Sequence, residues 1–207
     1  MIFYTADLHF HYLPVIESRH FDSTQEMDEK LISNWNETVR EEDTVYVVGD
    51  VGYNNNRVPC DALAQLKGHK HLIRGNHDVG FDDAEKLYDY FETVTDFNEI
   101  EDGEHHIILC HYPIVHHKRS YMIHGHLHKV QRIYYDILRE LPQVLNAGVD
   151  FNDLRPVPLE KLIENNDRFF ERTREEIVPY YNRGRSRIEG AMPTRPNFKP
   201  VPLKPEK

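Results

Sequence analysis

The chain has 207 residues, 39% of them hydrophobic and 29% charged, a balance that fits one globular domain with a sizeable core and excludes wholesale disorder. Its formal net charge of −10 argues against a surface that is everywhere a nucleic-acid footprint. The two cysteines, Cys60 and Cys110, exclude a disulfide framework and a CxxC metal site, so any metal takes other ligands. No apolar run reaches the roughly 18–20 residues of a bilayer span, and the first residues lack a signal-peptide pattern. The expected location is therefore the cytoplasm, with no membrane partner.

Short apolar runs alternate with amphipathic stretches, which predicts an α/β domain. Ile2 to Ala6 reads as a buried strand ending at Asp7, followed by a polar loop through about Asp22. Ser23-Thr24-Gln25-Glu26 has the capping-box form, and Met27, Leu31, Ile32, Trp35 and Val39 then share one helical face. The run Thr44 to Val48 predicts a central strand closed by Gly49-Asp50. Cys60 to Lys67 reads as a short helix stopped by Gly68, and His71-Leu72-Ile73 as a strand entering Gly75-Asn76-His77-Asp78. Asp82-Asp83 predicts a capped helix through Phe91. Further strands are read at Ile107 to Cys110, ending at His111, at Tyr121 to Ile123, ending at His124-Gly125-His126-Leu127-His128, and at Val144-Leu145. Leu159 to about Tyr181 reads as helical. From residue 183 five prolines punctuate a basic, apolar-poor segment that predicts an extended tail, so the expected organisation is a domain over 1–182 and a tail over 183–207.

Eight of the 14 histidines lie between His105 and His128, and imidazole is the commonest protein metal ligand near neutral pH. Five polar clusters follow strands in order: Asp7-Leu8-His9, Gly49-Asp50, Gly75-Asn76-His77-Asp78, His111, and Gly125-His126-Leu127-His128. Ligand sites of open α/β sheets lie outside the carboxyl ends of the strands, so folding should gather all five in one crevice. Mixed nitrogen and oxygen donors without thiolate suit Mn, Fe, Zn or Ni better than Ca or Mg.

This ordered set resembles the calcineurin-like metallophosphoesterase superfamily, whose motifs are D-x-H, G-D, G-N-H-[DE], H and G-H-x-H. Phe21 to Asp50 looks like a small bacterial and phage-borne branch of it. The resemblance implies an α/β fold of four layers, αββα, in which two mixed β-sheets are flanked by helices. It implies two divalent metal ions, with Mn as the working choice and Fe, Zn or Ni as alternatives. One ion would take Asp7, His9, Asp50 and His128, and the other Asp50, Asn76, His111 and His126, with Asp50 bridging. His77 resembles the family's general acid and Asp78 its orienting partner. The implied activity is metal-dependent hydrolysis of a phosphoester, nucleotides among the candidates, by a hydroxide bridging the metals. The branch usually reads D-x-H-F-G-H, whereas His11 stands here in place of the glycine.

Two other readings are open at this level. One is a nuclease or cyclic-nucleotide phosphodiesterase, favoured if the basic tail with Arg183, Arg185 and Arg187 binds nucleic acid, which is not the default for a basic arm on an acidic body. The other is a metal-stabilised interaction module without turnover, against which the intact His77 argues. Residue motifs specify phosphorus chemistry, while loops such as Tyr53 to Pro59 and Tyr112 to Arg119 would choose the organic group.

Overall fold

The computed structural model describes residues 1–52, 56–129 and 135–172. Along the chain run β1 (Ile2–Thr5), α1 (Ile16–Arg19), α2 (Thr24–Thr38), β2 (Thr44–Val47), α3 (Cys60–Leu63), β3 (His69–Ile73), β4 (Thr93–Thr95), β5 (Asn98–Asp102), β6 (His105–Leu109), β7 (Tyr121–His124), α4 (Tyr135–Arg139) and β8 (Val144–Asn146). Residues 159–172 form a further helix, α5. The strands make two four-stranded sheets, ordered β1-β2-β3-β4 and β5-β6-β7-β8. Every pairing in the first is parallel. The second is mixed, since β5 runs antiparallel to β6 while β6-β7-β8 are parallel. The α/β architecture with two sheets is as expected, but only one sheet is mixed.

Side-chain alternation along the strands divides the core. Phe3, Val45, Val47 and Leu72 point to a cluster with Met27, Leu31, Trp35 and Val39 of α2 and its C-terminal edge. Tyr4, Val48 and Ile73 point the other way, into a second cluster with Ile107, Leu109, Ile123 and Leu145 of the second sheet and Leu159 and Leu162 of α5. The α2 start is built as its sequence predicts: the Glu26 amide donates to Ser23 Oγ at 3.1 Å, and Glu26 reaches back to the Asp22 amide. Bridges between Ala6 and Gly148, and between Tyr4 and Val157, tie β1 to the segment after β8. The carboxyl ends of β1 and β8 therefore open into one region.

Several elements differ from expectation. Residues 82–91 are not an α-helix but contain a 3₁₀ stretch, Ala84–Asp89. Asp83 does not cap it, because its carboxylate accepts from the Val58 amide and from Lys86 Nζ, each at 2.9 Å. The helix from Cys60 stops at Leu63, where Asn36 of α2 captures the Gln65 carbonyl and the Lys67 amide. The polar loop before α2 contains α1, whose Arg19 is buried. β4 and β5 were not foreseen: Thr93–Thr95 has three residues, and Asn-Glu-Ile-Glu-Asp is too acidic to stand out as a strand. The expected helix is observed through 172, and the predicted tail lies outside the described residues.

Candidate metal centre

Backbone geometry at the strand ends is the first sign of a built site. Asp7, His9, Asp50 and His126 all adopt left-handed φ, at 57°, 53°, 57° and 66°. Non-glycine residues seldom do so, and where they do the surrounding structure must hold them. That holding is visible. The Asp7 amide donates to the Gly49 carbonyl and the His9 amide to the Asp50 carbonyl, which locks the turn after β1 to the turn after β2. Glycines make the closest approaches possible: a Cβ on Gly75 would stand 2.1 Å from Asp50 Oδ1, and one on Gly49 would stand 2.2 Å from the His111 ring.

His11, in the place of the branch's usual glycine, keeps a left-handed φ of 63°. Its amide donates to both oxygens of Asp28, and its ring lies 2.7 Å from Asp28 and 2.9 Å from Asp61. Two carboxylates thus hold a conformation that glycine would adopt without help. Tyr12, next in line, stacks on His9 with centroids 5.1 Å apart.

The side chains expected to act together do converge. Three overlapping trios, Asp7-His9-His128, His9-Asp50-His77 and Asp7-Asp50-His111, each offer ligand atoms that all lie within 4.8 Å of one another. His9 Nε2 faces His128 Nε2 at 3.2 Å. Asn76 Oδ1 sits between His111 Nε2 at 3.1 Å and His126 Nδ1 at 3.0 Å. Asp50 Oδ2 lies 3.3 Å from His111 Nε2 and 3.7 Å from His9 Nε2, so this one carboxylate touches both halves of the cluster. Asp7 also belongs to two trios, and its Oδ1 accepts from the His126 amide at 3.0 Å.

The donor set fits divalent cations. His111 and His128 each give their Nδ1 to an oxygen, the Val48 carbonyl at 2.9 Å and Asp150 at 2.8 Å, which leaves Nε2 directed at the cluster. This is how ligating imidazoles are oriented. Without a cation the charges are under stress. Burial pushes the Asp7 carboxyl up to about 6. Burial would do the same to Asp50, but hydrogen bonding and charge from His111 overcome it and bring Asp50 down to about 2. Burial opposes protonation of His111, yet Asp50 and Asp7 raise it to about 9. His9 is driven well below its usual range by burial, which keeps the imidazole neutral, with a lone pair on one ring nitrogen for a cation.

His77 stands edge-on to His9, centroids 5.1 Å apart, and its amide donates to Asp50 Oδ1 at 3.0 Å. The fully buried Asp78 carboxylate accepts from the amides of Gly75, Asp50 and Val51, at 2.7, 2.8 and 2.9 Å. Asp78 therefore ties the turn after β3 to the turn after β2, and positions Asp50 and the His77 backbone together. Burial and the neighbouring Asp50 push its carboxyl up to about 7.

Sequence reasoning missed a buried support on the far side of His128. Asp150 holds His128 Nδ1 with one oxygen, and with the other accepts from Arg19 Nε at 2.7 Å. Arg19 also donates to the Leu8 carbonyl at 2.9 Å and the Asp7 carbonyl at 2.5 Å. Burial disfavours the Asp150 charge, but His128 and Arg19 outweigh it and hold the carboxyl below its usual range. Asn146 was missed as well: it binds the Leu127 carbonyl and the Gly148 amide, each at 2.8 Å, and so braces the Gly125 to His128 turn. Aspartate and arginine are common in loops, so no local signal marked them. Only the proximity of residues 19, 128 and 150 does.

Comparisons with known proteins agree with this geometry. The calcineurin-like phosphoesterase family model matches residues 1–184. An uncharacterized protein of Methanocaldococcus jannaschii is 29% identical over 170 residues, covering 79% of this chain and 89% of its own. The gene 66 protein of Mycobacterium phage D29 is 30% identical over 193 residues, covering 79% of this chain and 94% of its own. A solved protein of unknown function from Aquifex aeolicus superposes with a TM-score of 0.58 at 26% identity, covering 76% of this chain and 94% of that one. With the family's motif residues gathered at the strand ends and its model spanning most of the sequence, the chain belongs to the calcineurin-like phosphoesterases.

Proposed function

We propose that the protein is a dinuclear-metal-dependent phosphoester hydrolase in which Asp7, His9, Asp50 and His128 hold one ion and Asp50, Asn76, His111 and His126 the other. The observation that carries this reading is Asp50, whose second oxygen lies between His9 and His111 while its first is fixed by the His77 amide. Two divalent ions, Mn²⁺ first and Fe, Zn or Ni as alternatives, would supply positive charge for the phosphoryl oxygens and lower the pKa of a shared water.

The remaining steps belong to the chain. A phosphate ester is anionic, and the cluster's own carboxylates, Asp7 and Asp50, would repel it without compensation. His77, half-buried at the edge of the cluster, is the group placed to give a proton or hydrogen bond to the leaving oxygen. Asp78 serves it through the backbone, by anchoring the turn that carries the ring. Asp150, His128 and Arg19 prepare one end of the ligand set before any ion arrives.

Hydrolysis of bis(p-nitrophenyl) phosphate and p-nitrophenyl phosphate by chelator-stripped protein, with and without Mn²⁺, tests the proposal. Turnover is expected only with metal, and His77→Ala is expected to lower kcat on the order of 10²–10⁴-fold with metal content unchanged. Folded, metal-loaded protein that hydrolyses neither ester with any of the four metals would overturn it.

A further inference from the structure

On the His126 side of the cluster the surface opens into a groove of about 380 Å³, lined by Tyr112, Pro113, Ile114 and Val115 of one loop, His126 and Leu127, and Ile137, Leu138 and Leu141 of α4 and the turn after it. Among these described residues no carboxylate, ammonium or guanidinium occurs. Tyr112, Val115 and Ile137 are left 48%, 70% and 60% exposed. Large apolar side chains grouped in one exposed concavity mark a place where something is bound. The volume is at the small end of ligand pockets, which typically span roughly 300–1,000 Å³.

What the groove adjoins says what it binds. His126 is both a wall of the groove and a partner of Asn76 Oδ1 in the cluster. Tyr112 lies against His126 with centroids 4.6 Å apart and against His111 at 5.3 Å. The groove thus begins one ring away from the atoms that would meet phosphorus. The other flank differs: beyond His128 a cavity of about 420 Å³ has charged residues of both signs in its lining, Arg19, Lys30, Lys129 and Arg155 with Asp150 and Asp153. A charged or polyhydroxylated group would gain from that side and lose solvation on the His126 side.

Resting on the reading of the site as a phosphoester hydrolase, we infer that the groove from Tyr112 to Leu141 receives an apolar or aromatic organic group of the ester, and so selects aryl or alkyl esters over small or charged ones. His77 is not among the groove's lining residues, so the groove contributes binding and leaves the leaving-group chemistry to the other side. Interactions equal in ground and transition states change KM and leave kcat alone.

Two measurements test this on the metal-loaded full chain. In the first, bis(p-nitrophenyl) phosphate is compared with methyl p-nitrophenyl phosphate, which has the same leaving group and a small second ester. The diaryl ester is expected to have a KM lower by about tenfold, a modest return for burying one aromatic ring. Val115→Asp or Ile137→Asp, both at exposed positions, should raise that KM by about tenfold at unchanged kcat and leave the methyl ester unaffected. In the second, phenylphosphonate and methylphosphonate are titrated by calorimetry. The phenyl compound should bind about tenfold more tightly, and either variant should abolish the difference.

Equal affinities of the two phosphonates for the unmodified protein would overturn the inference. So would variants that disperse an oligomer while ester selectivity stays intact, which would make the groove a contact between copies of the chain. A phosphonate preference without turnover of any ester would retain the groove and sink the hydrolase reading instead.

Discussion

His126 and His128 are two residues apart on one turn, yet they face opposite surroundings. His128 is backed by a buried carboxylate and a buried guanidinium, with charged side chains of both signs beyond them. His126 is backed by the exposed end of the cluster and an uncharged groove. The charges diverge accordingly. Burial lowers both histidines, but Asp150 and Asp7 reverse the effect at His128 and raise it, whereas His126 stays depressed by burial, with His111 adding to it. On the proposed reading, the two histidines of one G-H-x-H motif would both hold metal, His128 with a buried ion pair behind it and His126 beside an apolar groove.

The largest break in this comparison comes from removing Arg19. Its side chain is 2% exposed and that of its partner Asp150 is 9%. Arg19→Ala takes the guanidinium from one oxygen of buried Asp150, whose other oxygen still holds His128, and from the Leu8 and Asp7 carbonyls. It should cost about 3–5 kcal/mol, read as a lowered urea midpoint at constant slope.

Asp150→Asn is a smaller and more specific change, because it keeps the volume and removes the oriented acceptor. It should weaken Mn²⁺ binding on the order of 10–100-fold by calorimetry, the usual effect of losing a ligand's hydrogen-bond partner. Val115→Asp on the other flank should leave metal affinity unchanged and alter only ester selectivity. If both variants changed metal affinity alike, the two flanks would not be separate in function.

The pH dependence sharpens the same contrast. Without metal the His111 imidazole, raised to about 9, carries a proton near neutrality, and the Asp7 carboxyl, raised to about 6, protonates in mild acid. Both protons compete with a cation for the same atoms. Metal affinity should therefore rise with pH from about 6 to 9, about tenfold per unit for one released proton, and fall further below 6 as Asp7 protonates. Calorimetry in buffers of different ionisation enthalpy counts the protons released. Affinity independent of pH across this window would mean that His111 does not bind the ion.

Much of the site was legible because it is written in short motifs. Asp7, His9, Asp50, Asn76, His111, His126 and His128 each follow a strand, and the end of a strand needs only a local apolar run and a turn to be seen. The strong cap at Ser23 was legible for the same reason, since Ser and Glu three apart act within one helical turn. Misreadings fell where a local pattern lost to a distant partner. Asp83 could cap a helix but is taken by the Val58 amide. The three amides that Asp78 holds, from two different turns, were likewise invisible in the local pattern.

The amino-acid sequence by itself determined the family, the kind of metal ligands and the order in which strands deliver them, because each of these depends on residue type and on contacts within a few positions. Only the tertiary structure decided that Arg19 and Asp150, 131 positions apart, brace His128. The same is true of Tyr112, Val115 and Ile137, which line one groove beside His126. Buried ion pairs and concave surfaces are made by elements that meet in space. Their members carry no spacing of their own, and no periodicity along the chain marks them.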